Sequence, residues 1–193
     1  MPELPGTNWE FAIMMIECVI SPTPETEKRL FTRPWALMNF RDGIKRAISA
    51  VKKDVIDNAP RASGDFINSI VYSISETGDP FRVICRVQSF SDYADIIEFG
   101  AVPHVVPTRN IMRWMQKVGM NLRKGTDPAQ VAFSIQRKIA QGGLQPKLVF
   151  TQAYSNADQH FHSYLDPILS AIDGSATFDI ELKSSGSYVL PIE

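Results

Sequence analysis

A cluster of carboxylates in the middle of the sequence has helical spacing, and a hydrolase could use such carboxylates with a metal ion. Asp92, Asp95 and Glu98 recur every three residues, which places them on one side of a helix, and His104 follows. Carboxylates and an imidazole can hold a divalent cation that activates water. Because carboxylates on a solvated helix face are far commoner, a metal-dependent hydrolase or nuclease is an alternative hypothesis and not the principal one.

A second pair of residues with metal-binding chemistry is His160 and His162, with Asp158 and Asp166 nearby. Residues two positions apart point in different directions on a helix, so these imidazoles would not converge on one ion. The sequence also has neither a phosphate-binding glycine loop nor a Gly-x-Ser-x-Gly elbow. We therefore predict two surface histidines, no catalytic residue, no metal site and no cofactor.

The most basic local region begins with Arg109, Arg113 and Lys117, which are spaced to form one stripe along a helix, and continues with Arg123 and Lys124. Such a stripe can contact phosphates or an acidic neighbour. A solvated helix face explains the same pattern at least as well. Both interpretations stay open at the level of sequence.

Four helices and one hairpin are predicted to position these residues. Apolar residues recur with helical spacing near 40–57, 109–119, 128–141 and 148–165. Asp127 followed by Pro128 is a helix start signal, and Asp166 followed by Pro167 predicts a last short turn in the same way. A further short helix is expected over 92–99, before Gly100.

The hairpin is predicted over 66–90. Apolar and polar residues alternate in 66–76 and again in 81–90, and Thr77-Gly78-Asp79-Pro80 supplies turn chemistry between them. Because an isolated two-stranded unit is marginally stable, it must pack against helices or pair with further strands. The sequence therefore predicts an α+β fold in which a small antiparallel sheet packs with helices.

Composition excludes several classes of protein. The 193 residues carry 20 basic and 21 acidic side chains, unlike a strongly basic nucleic-acid-binding protein. Cys18 and Cys85 are too few and too far apart for a disulfide framework or a zinc site, so we predict two buried thiols. The apolar run 11–20 is too short to span a bilayer and lacks the basic start of a signal peptide, so no membrane stage is expected.

The ends of the chain differ in composition from its middle. Five prolines in residues 1–40 interrupt regular structure, so this segment is predicted to be an N-terminal extension, with a strand or short helix near 9–20 followed by an arm. Residues 41–172 form the predicted α+β core domain. Residues 173–193 contain a short apolar alternation and a Ser/Gly link, and are predicted to be a C-terminal extension, either a hairpin or an extended arm.

Three segments resemble a family of tailed-phage neck and tail-completion proteins that includes tail-terminator and lambdoid-siphophage tail components. Residues 58–70, NAPRASGDFINSI, are similar to its A-P-x-x-T-G-x-L-x-x-S-I segment, with Ser63 and Phe66 replacing the usual Thr and Leu. Residues 93–100, YADIIEFG, are similar to its Y-A-x-x-v-E-f-G segment. Residues 143–154 are a looser match to a Pro-Phe-x-x-x-A segment. The resemblance covers about residues 40–165.

The resemblance implies a structural virion protein of the phage head–tail junction, made in the host cytoplasm. It implies a ring, of six or twelve copies, that joins connector or portal-side proteins to tail-tube proteins around a DNA channel. Repetition around a ring would multiply a modest positive charge on each subunit, so transient non-specific contact with genomic DNA is expected. No enzymatic activity is implied.

Two sets of residues follow from this hypothesis. The candidates for subunit interfaces are Trp9, Trp35, Tyr93, Phe99 and Tyr188. The candidates for the DNA channel are Arg82, Arg86, Arg109, Arg113 and Lys117. Besides the metal-dependent nuclease, the remaining alternative is a monomeric DNA-binding module that uses the basic helix.

Overall fold

The computed structural model describes residues 14–60 and 64–185, which form seven helices and one four-stranded sheet. The predicted α+β class is confirmed. In chain order the elements are β1 (Met14–Pro22), α1 (Pro24–Thr32), α2 (Pro34–Asn58), α3 (Asp65–Ser69), β2 (Ile70–Thr77), β3 (Arg82–Ser89), α4 (Ala94–Phe99), α5 (Thr108–Lys117), α6 (Pro128–Gly142), α7 (Val149–Ile172) and β4 (Phe178–Ser185).

The sheet is antiparallel throughout, in the order β2-β3-β1-β4. The predicted hairpin is the β2–β3 pair, extended by two further strands, but residues 66–69, which were predicted to begin its first strand, belong to helix α3. Along β1 buried residues alternate with half-buried ones, so one face of the sheet is dry and the other is partly open to solvent. Met14, Ile16, Cys18 and Ile20 lie on the dry face.

Two long helices, α2 and α7, pack on each other and cover the dry face of the sheet. Their apolar positions recur every three or four residues, which gives each helix one buried stripe. The core formed in this way has two layers, helices on a sheet. Its largest helical contributions come from Phe40, Ile44, Ile48, Phe150, Phe161, Leu165 and Leu169.

The segment predicted to be an N-terminal arm contributes to the core from residue 14 onward. β1 is an inner strand, paired with β3 on one side and with β4 on the other. α1 buries Leu30, and α2 begins at Pro34, so residue 40 does not mark a domain boundary. Residues 178–185 of the predicted C-terminal extension form β4, an edge strand of the same sheet.

α7 is longer than the predicted helix over 148–165. Asp166 and Pro167 were expected to begin a separate turn, but Pro167 lies inside a helix that continues to Ile172. Leu165, Leu169 and Ile172 are buried on its inner stripe. Core packing therefore holds the helix together across a residue that lacks a backbone donor.

α5 and α6 form a helical hairpin with a small core of its own. The residues buried between the two helices are Ile111, Met115 and Ala132. Each of the two helices makes its most extensive contacts with the other. At the foot of this unit Ala101 and Leu144 form an antiparallel bridge. We call residues 102–143 the helical hairpin and the rest of the protein the body. The chain leaves the body and returns to it at this bridge.

Candidate functional site

Glu98, one of the candidate hydrolase carboxylates, caps a helix. It is almost fully buried, with 1% of its surface exposed. Its Oε2 accepts a hydrogen bond from the Phe150 amide at 2.8 Å, and its Oε1 accepts from the Thr151 amide at 2.8 Å and from the Thr151 hydroxyl at 2.6 Å. These amides belong to the first turn of α7, where a carboxylate complements the helix dipole. Both carboxylate oxygens are thus engaged in hydrogen bonds that stabilise the fold.

Two glycines allow the end of α4 to cross the segment that leads into α7. A Cβ on Gly100 would clash with the Leu144 carbonyl oxygen, and one on Gly143 would clash with that of Ala101. Both glycines have positive φ, at 77° and 67°. At the crossing the amides of Ala101 and Leu144 donate to each other's carbonyls at 3.0 and 2.8 Å.

Residues 58–70, 93–100 and 143–154, the three segments singled out in the sequence, contribute residues that meet at the start of α7. Phe66 of the first segment is buried and packs edge-on against Phe150 of the third, with 6.5 Å between ring centroids. Ser69 of the first segment shares a hydrogen bond of 2.7 Å with Ser89 at the end of β3. Glu98 of the second segment binds the amide of Phe150. Segments that are distant in sequence therefore form one junction, and the roles of these residues in it are structural.

The other residues of the candidate hydrolase site do not converge with Glu98. Among the residues described, no group of three or more histidine, cysteine, aspartate or glutamate side chains is placed to hold a metal ion. Asp92 and His104 are exposed, and His104 Nδ1 lies 2.8 Å from the Val102 carbonyl oxygen. Asp95 is partly buried, and burial raises the pKa of its carboxyl group.

His160 and His162 point apart, as their spacing predicted, and each lies beside a different carboxylate. His160 Nε2 lies 2.9 Å from Asp54 on α2, whereas His162 Nδ1 lies 3.2 Å from Asp166 on α7 itself. Desolvation acts to raise the pKa of the Asp54 carboxyl, but hydrogen bonds from His160 and Asn156 outweigh it and lower that pKa overall. The first pair thus joins α2 to α7 and the second lies along one helix.

Charge is strongly segregated between the helical hairpin and the rest of the chain. Residues 102–143 contain seven Lys and Arg and one acidic residue, Asp127, for a net charge of +6. The other 151 residues contain 13 Lys and Arg and 20 Asp and Glu, for a net charge of −7. The near-neutral total therefore conceals a basic hairpin on an acidic body.

The cations of the helical hairpin are exposed and mostly without acidic partners. Arg109, Arg113 and Lys117 form the predicted stripe on α5, beside a partly exposed Trp114. Lys117 pairs with Asp65 of the body. The other six cations form no ion pair within residues 14–60 and 64–185. These six are Arg109, Arg113, Arg123, Lys124, Arg137 and Lys138.

The remaining candidates for a DNA channel, Arg82 and Arg86, belong to the sheet and not to the helical hairpin. Arg86 donates to Glu17 on the neighbouring strand, with 2.7 Å between Nε and Oε2. This ion pair offsets its charge on the open face of the sheet. Arg82 is exposed at the start of β3. The structure therefore divides the five predicted channel residues between two surfaces.

The predicted interface residues differ in their exposure to solvent. Tyr93 is 67% exposed at the start of α4, and Trp35 is 46% exposed at the start of α2. Phe99 packs against the protein's own main core. Trp9 and Tyr188 lie outside the described residues. Two of the five candidates are therefore observed on the surface.

Cys18 and Cys85 are buried free thiols, as predicted, but they are also direct cross-strand neighbours in β1 and β3. Burial raises the pKa of both thiols, that of Cys85 to about 12, and the proximity of Cys85 adds to the effect at Cys18. Both side chains therefore contribute to the core as small apolar groups.

Comparisons with protein-family models, with curated proteins and with solved structures yield no match to this chain. Within the described part of the chain, none of the helices is long and apolar enough to cross a membrane.

The charge segregation was accessible from the sequence. A sliding count of charge finds one acidic residue between residues 99 and 157. The role of Glu98 was not accessible, because its partners lie 52 and 53 residues further along the chain.

Proposed function

We propose that the protein is a structural component of a tailed-phage virion, acting at the head–tail junction as a ring around the DNA channel. The observation that carries this proposal is the convergence of the three family-like segments at the start of α7. These segments are far apart in sequence, and the contacts of Phe66 and Glu98 with Phe150 bring them together. The buried residues of these segments stabilise the fold, which is what we expect of a protein that acts by assembly.

The segregated charge supports an orientation within the ring. Duplex DNA attracts exposed cations through its phosphates, whatever its sequence. A helical hairpin of charge +6 that faces the channel would present these cations to DNA, and the acidic body would lie away from it. Six or twelve copies would repeat the arrangement around the axis. Connector-side and tail-tube proteins would occupy the two faces of the ring.

Mass and shape in solution test the ring. Light scattering on the purified chain should give about 130 kDa or about 260 kDa, six or twelve times the 21.6 kDa of one chain, and connector and tail-tube proteins of the same virus should add their own mass when they are present. Negative-stain images should show an annulus. A strict monomer under all of these conditions would overturn the proposal.

DNA binding tests the orientation. The double variant Arg109→Glu/Arg113→Glu should weaken binding to duplex DNA of arbitrary sequence and reduce the salt dependence by about two units of slope between about 50 and 200 mM salt. The matched control is Lys45→Glu/Arg46→Glu, which makes the same change in net charge on exposed positions of α2. An equal effect of both double variants would exclude a specific role for the helical hairpin.

The same measurements separate the alternatives. A monomer that binds DNA with a steep dependence on salt would identify a DNA-binding module. Nuclease activity that requires a divalent cation and is lost in Asp95→Ala would identify a hydrolase instead.

A further inference from the structure

Two exposed apolar surfaces lie at opposite ends of strand β3. Phe81, which directly precedes β3, packs against Phe31 with 5.1 Å between ring centroids, whereas Phe90 directly follows the strand. Eight extended residues span about 24 Å. We name the surface at the far end the α4 surface and define it as Phe90, Tyr93 and Ile96. The surface near Phe81 is the corner surface, defined as Phe31, Trp35 and Met38.

Both surfaces have the composition of a protein–protein contact. Phe90 and Met38 are 61% and 60% exposed, and every member of the two sets is at least 39% exposed. Aromatic residues and methionine are enriched where proteins meet, and tryptophan and tyrosine are prominent among residues whose truncation weakens binding. The two surfaces differ from each other in sequence and position, so a subunit presents two distinct contacts.

The α4 surface is flanked by carboxylates that lack cationic partners. Asp92 is exposed and Asp95 is partly buried, and neither forms an ion pair with a described residue. Asp95 Oδ1 is shielded from solvent and accepts no hydrogen bond from any described residue. The sequence contains no Lys or Arg between Arg86 and Arg109. This surface is therefore apolar with an acidic margin.

The corner surface has the opposite charge at its margin. Four Lys and Arg lie between residues 28 and 41, but Arg29 pairs with Glu25 and Asp173 and Arg41 pairs with Glu76, so the margin depends on the other two, Lys28 and Arg33. Lys28 is exposed and forms no ion pair within the described ranges. Arg33 is also exposed, and its guanidinium donates to the Ile172 carbonyl at 2.9 Å without a carboxylate partner there. The two surfaces are thus complementary in charge and alike in apolar character.

We infer that the α4 surface of one copy binds the corner surface of the next copy, in a head-to-tail contact. Contact between two α4 surfaces would bring unpaired carboxylates together, and contact between two corner surfaces would bring cations together, so the mixed contact is favoured. Head-to-tail contacts close into a ring when the rotation between copies permits it. This inference rests on the proposed ring and assigns its interface, and it leaves the helical hairpin free to face DNA.

Two substitutions, each on a different surface, test the inference. Tyr93→Asp disrupts the α4 surface and Trp35→Asp the corner surface, and both place an acidic residue at a helix start, where it is tolerated. Each variant alone should be monomeric. Mixed together, they should form a heterodimer of about 43 kDa, twice the mass of the chain, because each retains the surface that the other has lost.

The control is Phe133→Ser, which removes an exposed aromatic residue from the helical hairpin and should leave assembly unchanged. Circular dichroism checks that each variant is folded, and Ile96→Asp or Met38→Glu replaces a variant that is not. A mixture that stays monomeric, or a Trp35→Asp variant that dimerises alone, would overturn the head-to-tail contact. If both variants still form the ring that the wild type forms, the head-to-tail contact is wrong but the ring is not. If the wild type is monomeric, the proposed ring itself is wrong.

Discussion

The carboxylate of Glu98 binds the backbone amide of Phe150 at 2.8 Å, across 52 residues of sequence. Through this bond the end of α4 supplies the cap that the start of α7 lacks, since Leu148 at its cap position makes no side-chain hydrogen bond to the helix. A residue whose type and spacing suggest hydrolysis is thus part of the framework. Its removal should affect stability before anything else.

Glu98→Ala should lower the free energy of unfolding by about 2–4 kcal/mol, because it leaves buried donors of Phe150 and Thr151 without acceptors. Glu98→Gln keeps one acceptor oxygen and should cost less. Urea unfolding measures both. The control is Asp92→Ala on the exposed side, which should change stability by less than about 0.5 kcal/mol. A change at Glu98 as small as that of the control would remove the capping role.

Gly143→Ala should destabilise the protein by about 2 kcal/mol or more, because the new methyl group meets the Ala101 carbonyl oxygen and the backbone is left-handed there. The matched control is the adjacent Gly142→Ala. Gly142 is the last residue of α6 and has open space around it, so alanine should be neutral or stabilise by up to about 1 kcal/mol. The midpoint of thermal unfolding should therefore be lower in Gly143→Ala than in the wild type, and unchanged or higher in Gly142→Ala.

Cys18 and Cys85 should react slowly with thiol reagents at pH 8 in the folded protein, and both should react at once in denaturant. Burial is the reason, since the reactive thiolate is disfavoured in each case. Ser170→Cys, at an exposed position on α7, is the positive control. Because the folded pKa is raised above the unfolded one, stability should fall as the pH rises above about 9 and towards 12. Rapid modification of either native thiol would contradict this account.

Asp95→Asn should stabilise the isolated subunit at pH 7. Burial raises the pKa of this carboxyl group, so the charged form is penalised in the folded state at any pH above the folded pKa. The penalty disappears as the pH falls below the unfolded pKa, near 4, and the benefit of asparagine should disappear with it. Because the carboxyl is partly exposed, the gain should be below about 1 kcal/mol.

Unfolding of three proteins at pH 7 and pH 3.5 measures this effect: the Trp35→Asp variant, which is expected to be monomeric, and the same variant with Asp95→Asn or Asp92→Asn added. Asp92 is exposed and its substitution should be neutral at both values. A destabilised Asp95→Asn would indicate that the carboxylate has a partner in the folded subunit.

Elements with local signals were predicted well from the sequence. Asp127 accepts a hydrogen bond from the Ala129 amide at 2.9 Å and begins a helix that ends at Gly142, one residue beyond the predicted end. The β2–β3 hairpin follows from alternation on both sides of a short turn. In both cases the contacts that determine the element join residues close in sequence, so the local sequence pattern is enough to predict it.

Positions fixed by distant contacts were not predicted. A strand or short helix was expected near residues 9–20, in an apolar run interrupted by Glu17, yet the inner position of β1 depends on β4, which lies more than 150 residues away. The proline density around it suggested an arm, because propensity reports what a segment does alone and not what a partner strand stabilises. The cap by Glu98 and the continuation of α7 past Pro167 have the same origin. Of the candidate site, the basic stripe was therefore predictable and the junction at α7 was not.

The bridge between Ala101 and Leu144 has a consequence for how far the helical hairpin extends. The chain departs and returns at this bridge, and the ion pair of Lys117 with Asp65 is a second attachment of the helical hairpin to the body. Lengthening both helices by one turn would displace the tip by about 5 Å and would separate Lys117 from Asp65, without moving any strand. The distance of the cations from the sheet is thus set by the lengths of two helices, and insertion or deletion there would change it while the strand pairing stays the same.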